Sequence, residues 1–370
     1  MRMVDLRSTG PTNAAPTVEV LSSGGAELLR LIGVLLSTSP GDFDVGADRL
    51  LALRERLGTT VLEQARALSK GLDNGDEAQL GDDMAFYNLS LLGAVLPEPG
   101  GAEELLTRLR EEPTLAWRVL AARHLDDLLD DAADLRRRLT IDEPGAIDEV
   151  HALDLTAARE PVAHLLHGDP EAYGRALHEV VERVATELWP RLLEESMGPI
   201  ERDVAHRRAL LDAGTDPAQV VLEATNGYEL ADEPAGRRVV LLPSYWLRPW
   251  LVVGELEGLD VEVVSTVVAD TFLALPSEAP PPSLLKLFKA LSDEGRLKLL
   301  RRMTSGPVSL AEATEELGVT KATAHHHLSI LRQSGLVSMG GEGRATRYSL
   351  RDDPASVTHE ALTRYVPSRR

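Results

Sequence analysis

The sequence predicts a mainly α-helical protein with a small β element and a separate C-terminal domain of short helices and a hairpin. Apolar residues recur at helical spacing through most of the chain, whereas runs of β-branched residues are confined to about residues 237–268. A proline-rich stretch at 276–282 then precedes the last domain. The length of 370 residues is sufficient for two or three domains.

We divide the chain into four segments. Residues 1–25 form an N-terminal arm, in which the alternating piece Thr17–Val20 is typical of a strand that joins a sheet. Residues 26–275 form a helical region that ends in the small β element, and we expect it to serve regulation or dimerisation. Residues 276–282 are a stiff proline linker, and residues 283–370 form the final domain.

Composition excludes several classes of function. The chain contains no cysteine, so disulfides, thiolate metal sites and cysteine nucleophiles are impossible. The sequence shows neither a secretory leader nor an apolar run long enough to cross a membrane, and we expect a cytoplasmic protein. Because it also lacks a complete phosphate-binding loop and a serine nucleophile elbow, we expect neither an enzyme nor a cofactor.

Charge is distributed unevenly along the chain. The formal net charge is −20, yet residues 283–370 contain 14 basic and 9 acidic residues, which leaves 25 basic and 50 acidic residues elsewhere. A basic domain is typical of nucleic-acid binding, because contacts with phosphate groups require positive charge. The two parts of the chain are therefore expected to face different partners.

The final domain carries a succession of helix and turn signals. Helices are predicted from Leu284, from Glu294 after the N-cap Asp293, and over 310–317 behind a capping box of Ser309 and Glu312. After the turn at Gly318, a fourth helix runs from Thr320 or Lys321 through Gln333. Two alternating strands around a glycine-rich tip follow within 336–350. This order predicts a winged helix-turn-helix.

Residues 284–351 resemble the winged-helix domain of ArsR-type bacterial transcriptional regulators. The resemblance lies in Ala290–Asp293, Leu317–Leu328, Leu331–Val337 and Glu342–Arg344 before Tyr348. It implies that the fourth helix enters the major groove, that the wing touches phosphate or the minor groove, and that two copies bind a palindrome. The arrangement of the preceding region is similar to that of large actinobacterial members of the family.

Residues predicted to contact double-stranded DNA lie on the fourth helix and the wing. They are Thr320, Lys321, Thr323, His325, His326, Arg332, Arg344 and Arg347. A solvated basic surface is the alternative interpretation of these side chains. Metal binding by the run of histidines from His325 is disfavoured, because consecutive positions on a helix point in different directions, and we expect no metal site.

We therefore predict a homodimeric, sequence-specific DNA-binding regulator that reads a pseudo-palindromic operator. The alternative is an assembly scaffold in which the winged helix docks another protein. Aromatic residues of the β element suggest a pocket for a small-molecule effector, near Tyr245, Trp246 and Trp250. The simpler interpretation is that these aromatic residues hold the β element against the helices.

Overall fold

The computed structural model describes most of the chain as two compact units. The described residues are 17–70, 72, 84–94, 101–125, 128–129, 131–156, 158–228, 238–256, 261–273, 280–340, 346–351 and 354–366. Unit 1 comprises residues 1–204 and 235–267, and unit 2 comprises residues 205–234 and 268–370. Among the described residues, no helix combines the length and apolar character needed to cross a membrane.

Unit 1 contains one four-stranded sheet. Its strands are β1 (Thr17–Val20), β2 (Arg238–Leu241), β3 (Val252–Leu256) and β4 (Val261–Ser265), in the spatial order β1-β2-β4-β3. β1, β2 and β4 are parallel, and β3 runs antiparallel to β4. The strand expected at residues 17–20 is confirmed, and it joins residues more than 200 positions away along the chain.

The helices of unit 1 surround α1 (Gly24–Leu36), in which every residue is buried. Because α1 is mostly apolar and is buried on all sides, it occupies the centre of the unit rather than its surface. The helices around it and further along the unit are α2 (Ala47–Leu57), α3 (Thr59–Ser69), α4 (Met84–Ser90), α5 (Ala102–Glu111), α6 (Leu115–His124), α7 (Ala133–Thr140), α8 (Ala146–His151), α9 (Glu160–Leu166), α10 (Pro170–Glu187) and the first part of α11 (Trp189–Asp212).

Two charged residues lie inside α1. The carboxylate of Glu27 accepts hydrogen bonds from the backbone N–H groups of Tyr245 (2.7 Å) and Trp246 (2.9 Å). It also pairs with Arg30 at 3.4 Å, and Arg30 donates to the hydroxyl of Ser265 at 2.8 Å. These bonds offset part of the cost of burying charged groups, and they join α1 to the loop that follows β2 and to the last residue of β4.

Unit 2 contains the predicted winged helix. It begins with the last part of α11 and α12 (Pro217–Ala224), and continues with α13 (Pro282–Leu291), α14 (Glu294–Met303), α15 (Leu310–Leu317), α16 (Lys321–Gln333), the antiparallel strands β5 (Val337–Gly340) and β6 (Arg347–Leu350), and α17 (Pro354–Tyr365). The core of the winged helix is formed by apolar side chains such as Leu299, Ala313, Leu328 and Leu331. The mainly α fold with a small β element and a C-terminal winged helix is therefore confirmed.

The four predicted segments stay a prediction, and the two compact units divide the chain in a different way. The arm predicted at 1–25 includes β1 and the start of α1, and its residues 1–16 lie outside the described chain. Residues 205–228 lie in the same unit as the winged helix, whereas the sequence places them in the helical region. The linker 276–282 stays a prediction for residues 276–279, which are not described, and Pro282 is the first residue of α13.

Candidate DNA-binding interface

The helix-turn-helix is formed by α15, a short turn and α16. Ser309 and Glu312 form a reciprocal capping box at the start of α15, with bonds of 3.2 Å and 2.8 Å. Gly318 ends α15 in the left-handed conformation at φ 64°, which glycine adopts without steric cost. Thr320 then caps α16 by accepting a hydrogen bond from the N–H of Thr323 at 3.2 Å.

α16 has one buried and one exposed face. Ala324, Leu328 and Leu331 are buried in the core of the winged helix. Lys321, Thr323 and His326 are exposed, as is the cap Thr320, and His325 is half-buried. The structure thus brings five of the predicted DNA-contacting residues together on the N-terminal half of this helix. Such a helix presents both a positive charge and hydrogen-bonding groups to solvent.

His327 lies at the edge of the core rather than on the exposed face. Its Nδ1 is 3.5 Å from Oδ1 of Asp293, the residue that caps α14. Burial lowers the pKa of His327, and the nearby Asp293 carboxylate only partly opposes this effect. Since the ordinary histidine pKa is near 6.5, His327 is mainly neutral at neutral pH.

The wing is the hairpin of β5 and β6, in which Gly340 pairs with Arg347. Arg347 is exposed and donates a hydrogen bond to the Glu312 carboxylate of the capping box. Arg302 approaches the same carboxylate at 3.9 Å. Hydrogen bonds from Ser309, followed by these arginines, hold the pKa of Glu312 below its usual range. Glu312 therefore remains an anion that links the wing to α15. The tip of the wing, including the predicted contact Arg344, lies outside the described residues.

Arg332 is not on the surface expected for a DNA contact. Its side chain is only 8% exposed, and its Nη1 donates to the backbone carbonyl of Thr225 at 3.3 Å. Burial lowers the pKa of Arg332. Arg332 follows Ala324 and Leu328 at intervals of four residues, so it lies on the same, buried side of α16. Arg332 is therefore left out of the interface that the other residues form.

The aromatic residues of the β element pack into unit 1. Trp246 is fully buried in its core, and Tyr245 and Trp250 pack against that core. Tyr245 donates to a carboxylate oxygen of Glu195 at 3.0 Å, and burial raises the pKa of Tyr245 to about 12. These contacts agree with the simpler interpretation, in which the aromatic residues hold the β element against the helices.

A cavity of about 550 Å³ lies elsewhere in unit 1. It is lined by residues of α3, α6, α9 and α10 that include Leu68, Trp117, His164, Leu165 and Tyr173. The indole N–H of Trp117 donates to the carbonyl of Leu165 at 2.7 Å, and the Tyr173 hydroxyl donates to that of Leu68 at 3.0 Å. The two aromatic rings are therefore fixed by hydrogen bonds to the cavity wall. Within the described part of the chain, no three histidine or acidic side chains are grouped closely enough to hold a metal ion.

Two features of unit 2 were not predicted from the sequence. One is the second role of Glu312, which the sequence identifies as a helix cap but not as the partner of Arg347. The other is the contact of residues 225–228 with α16 and β5. The dipeptide Asn226-Gly227 is a strong turn signal that marks this segment, although it does not indicate what the turn contacts.

Comparison with known proteins agrees with this geometry. A helix-turn-helix domain model matches residues 291–339. The chain is 40% identical over 70 residues to the HTH-type transcriptional regulator YceK of Bacillus subtilis, a match that covers 18% of this chain and 70% of that protein. It is 38% identical over 72 residues to a probable mercury resistance operon repressor of Streptomyces lividans, a match that covers 20% of this chain and 58% of that repressor. With the regulator CmtR of Mycobacterium tuberculosis the identity is 36% over 78 residues, which cover 21% of this chain and 66% of CmtR.

Among solved structures, reduced HlyU from Vibrio cholerae N16961 matches this chain with 26% sequence identity and a TM-score of 0.19. The match covers 23% of this chain and 90% of the HlyU chain. The three regulators above are matched over 58% to 70% of their own lengths, and each match covers at most 21% of this chain. Through its winged helix-turn-helix domain, the chain belongs to the ArsR-type transcriptional regulators.

Proposed function

We propose that the protein is a homodimeric transcriptional regulator that binds a pseudo-palindromic operator with α16 in the major groove and the wing on the DNA backbone. The observation that carries this proposal is the exposed face of α16. Lys321, Thr323 and His326 project from the first half of a helix whose opposite face is anchored in the core. Helix-turn-helix proteins read base edges with this part of the recognition helix.

The charge of the domain supports the same function. The sequence from residue 283 onward has a surplus of five basic residues, whereas the rest of the chain is strongly acidic. Lys321 on α16 and Arg347 on the wing, which is paired with Glu312, are exposed cationic side chains within this domain. Phosphate neutralisation by such residues provides affinity, while Thr323 and His326 offer hydrogen bonds that discriminate between bases.

Dimerisation is supported by an apolar surface on α13 and α17, which pack against each other. Its large exposed side chains are Leu285, Phe288, Leu362, Tyr365 and Val366. Large exposed apolar side chains on two helices that pack together are typical of protein–protein contacts in soluble proteins. We assign this surface to contact with a second copy of the chain, which would also place two α16 helices on adjacent half-sites.

Selection of duplexes from a random DNA pool by the full chain tests the proposed function. We expect enrichment of an inverted repeat whose half-sites lie about one helical turn, roughly 10 base pairs, apart. Binding to the enriched site should weaken steeply with salt, as phosphate contacts require. A pool that shows no enriched sequence after repeated rounds would contradict sequence-specific binding.

Sedimentation measurements test the dimer. Leu285→Asp introduces a charge into the α13/α17 surface and should shift the protein towards the monomer. The matched control is Leu51→Asp, because Leu51 is a similarly exposed leucine on α2 of unit 1. Equal sedimentation of the two variants and the wild type would contradict the assignment of the surface.

We also place a small-molecule effector in the cavity of unit 1, in place of the pocket expected near Tyr245, Trp246 and Trp250. Its volume is typical of ligand sites, and its lining combines apolar and aromatic side chains with the charged groups of Lys70, Glu160 and Asp169. Ala67→Trp would fill the mouth of this cavity, where Ala67 is exposed. Small aromatic compounds that raise the melting temperature of the wild type should lose this effect in the variant. Equal stabilisation of both proteins would refute the site.

A further inference from the structure

A short segment that lies 107 residues before the C-terminal end of α16 is hydrogen-bonded to the winged helix. This segment, Thr225–Tyr228, follows α12 in unit 2, and we name it the clasp. It contacts two elements of the proposed DNA-binding interface. One is the C-terminal end of α16, and the other is strand β5 of the wing.

Two side chains connect the clasp to α16. The buried guanidinium of Arg332 donates to the carbonyl of Thr225 at 3.3 Å. The amide of Asn226 donates to the carbonyl of Gln333, the last residue of α16, at 3.5 Å. Carbonyl groups in the last turn of a helix lack partners within the helix, so Asn226 acts as a cap on α16. The end of α16 opposite its exposed DNA-facing half is therefore held by the clasp.

Backbone bonds connect the clasp to the wing. The N–H of Met339 donates to the carbonyl of Gly227 at 2.6 Å, and Tyr228 forms a parallel bridge with Met339. On the other side of the hairpin, β6 exchanges two hydrogen bonds of 2.8 Å with Val308. Both edges of the two-stranded wing are thus paired within unit 2, which restricts its motion relative to α16.

Gly227 makes the close contact of the clasp with β5. Its φ of +105° lies in the region that favours glycine, and a Cβ placed there would be 2.8 Å from the carbonyl oxygen of Val337 and 3.0 Å from Cα of Ser338. Both neighbours are backbone atoms of β5, so they cannot move aside as a flexible side chain would. Any other residue at position 227 must therefore push the clasp away from the wing.

We infer that the clasp is a positioning element for DNA recognition, in which Thr225–Tyr228 fixes the wing relative to the recognition helix. This inference rests on the proposed function, because it concerns how the two DNA-contacting elements are held in one geometry. Positioning matters for binding, since a contact that must be ordered during association contributes less to affinity than one that is already in place. Arg332, predicted as a DNA contact, acts through the clasp and not on DNA.

Gly227→Ala in the full chain tests the inference. We expect binding to the site selected by the wild type to weaken about tenfold, with the protection of the DNA backbone under the wing reduced in a hydroxyl-radical footprint. The matched control is Gly214→Ala. Gly214 is an exposed glycine of unit 2 with φ +83°, and a Cβ there meets nothing within 4 Å. The substitution Gly214→Ala therefore imposes similar backbone strain without contacting β5.

Amide hydrogen exchange provides a readout that does not involve DNA. Exchange of the Met339 N–H should accelerate in Gly227→Ala, because that N–H loses its bond to residue 227, and should be unchanged in Gly214→Ala. Failure of the wild type to select any DNA site would refute the proposed function and leave this exchange result standing. Accelerated exchange together with operator affinity and a footprint equal to those of Gly214→Ala would overturn the inference.

A second variant keeps the test valid if Gly227→Ala does not fold. Asn226→Gly removes the amide that caps α16, and glycine tolerates the positive φ of 54° at this position. We expect about threefold to fivefold weaker binding to the selected site, the loss expected for one hydrogen bond. Unchanged affinity in this variant, with folding intact, would likewise overturn the inference.

Discussion

Glu312→Gln is expected to strengthen DNA binding by freeing an arginine of the wing. In the unbound protein the Glu312 carboxylate accepts a hydrogen bond from Arg347, so the pair carries no net charge. Glutamine removes the negative charge but retains an oxygen that accepts from the N–H of Ser309. The capping box of α15 is therefore kept, and the variant isolates the electrostatic role of Glu312.

The structure gives the size of the two effects. Arg347 and Glu312 side chains are 53% and 42% exposed, so solvent screens the pair and its loss should change folding stability little. An arginine that is free to meet a phosphate adds up to about 0.9 to the slope of log affinity against log salt. Between about 50 and 200 mM salt, that slope makes the ratio of variant to wild-type affinity change by about 3.5-fold.

Fluorescence anisotropy titrations of the selected DNA site at several salt concentrations measure this slope. The matched control is Glu315→Gln, which changes the formal charge equally on the same exposed side of α15 but does not alter the partner of Arg347. We expect the steeper slope in Glu312→Gln alone, and its loss when Arg347 is also replaced by Met. Equal slopes in the two glutamine variants would refute the role given to Arg347.

Three further predictions concern stability. Because burial lowers the pKa of His327, folding favours its neutral form, and the free energy of unfolding should fall as the pH drops through about 6.5. Urea titrations should show a smaller fall in His327→Gln than in the wild type. The same pH dependence in both proteins would contradict this prediction. Glu27→Gln leaves Arg30 buried without its acidic partner and should cost about 3–5 kcal/mol, whereas a loss below about 1 kcal/mol in denaturant unfolding would show that the pair is unimportant. Thr320→Ala removes the cap of α16 and should cost about 0.5–2 kcal/mol, which Thr320→Ser should largely restore if the hydroxyl is responsible.

Local signals in the sequence were sufficient to predict the winged helix. The capping box at Ser309, the glycine at 318 and the glycine-rich tip of the hairpin each act within a few residues, so helix ends and turns follow from short patterns. The strand at Thr17–Val20 was also predicted from its alternation. Its partner β2 could not be predicted, because the pairing joins segments more than 200 residues apart.

The candidate site was predictable on α16 and less so around it. Helical periodicity separates Ala324 and Leu328 from Thr323 and His326, so the exposed side of α16 follows from spacing alone. Spacing also places Arg332 on the side of Ala324 and Leu328, but its partner on the clasp comes from a distant part of the chain and could not be predicted. A positively charged residue near the end of a recognition helix resembles a phosphate contact until its neighbours are known.

Base discrimination by His326 is the most direct test of the central claim that the exposed face of α16 reads DNA. The measurement is the affinity of His326→Ala for the selected site and for every single-base-pair variant of it, compared with the wild type and with His167→Ala, which removes an exposed histidine from unit 1. We predict that His326→Ala loses about 1–3 kcal/mol of discrimination at one base pair of each half-site and keeps it elsewhere, while His167→Ala matches the wild type. Wild-type discrimination at every position in His326→Ala, with the protein folded, would contradict the claim.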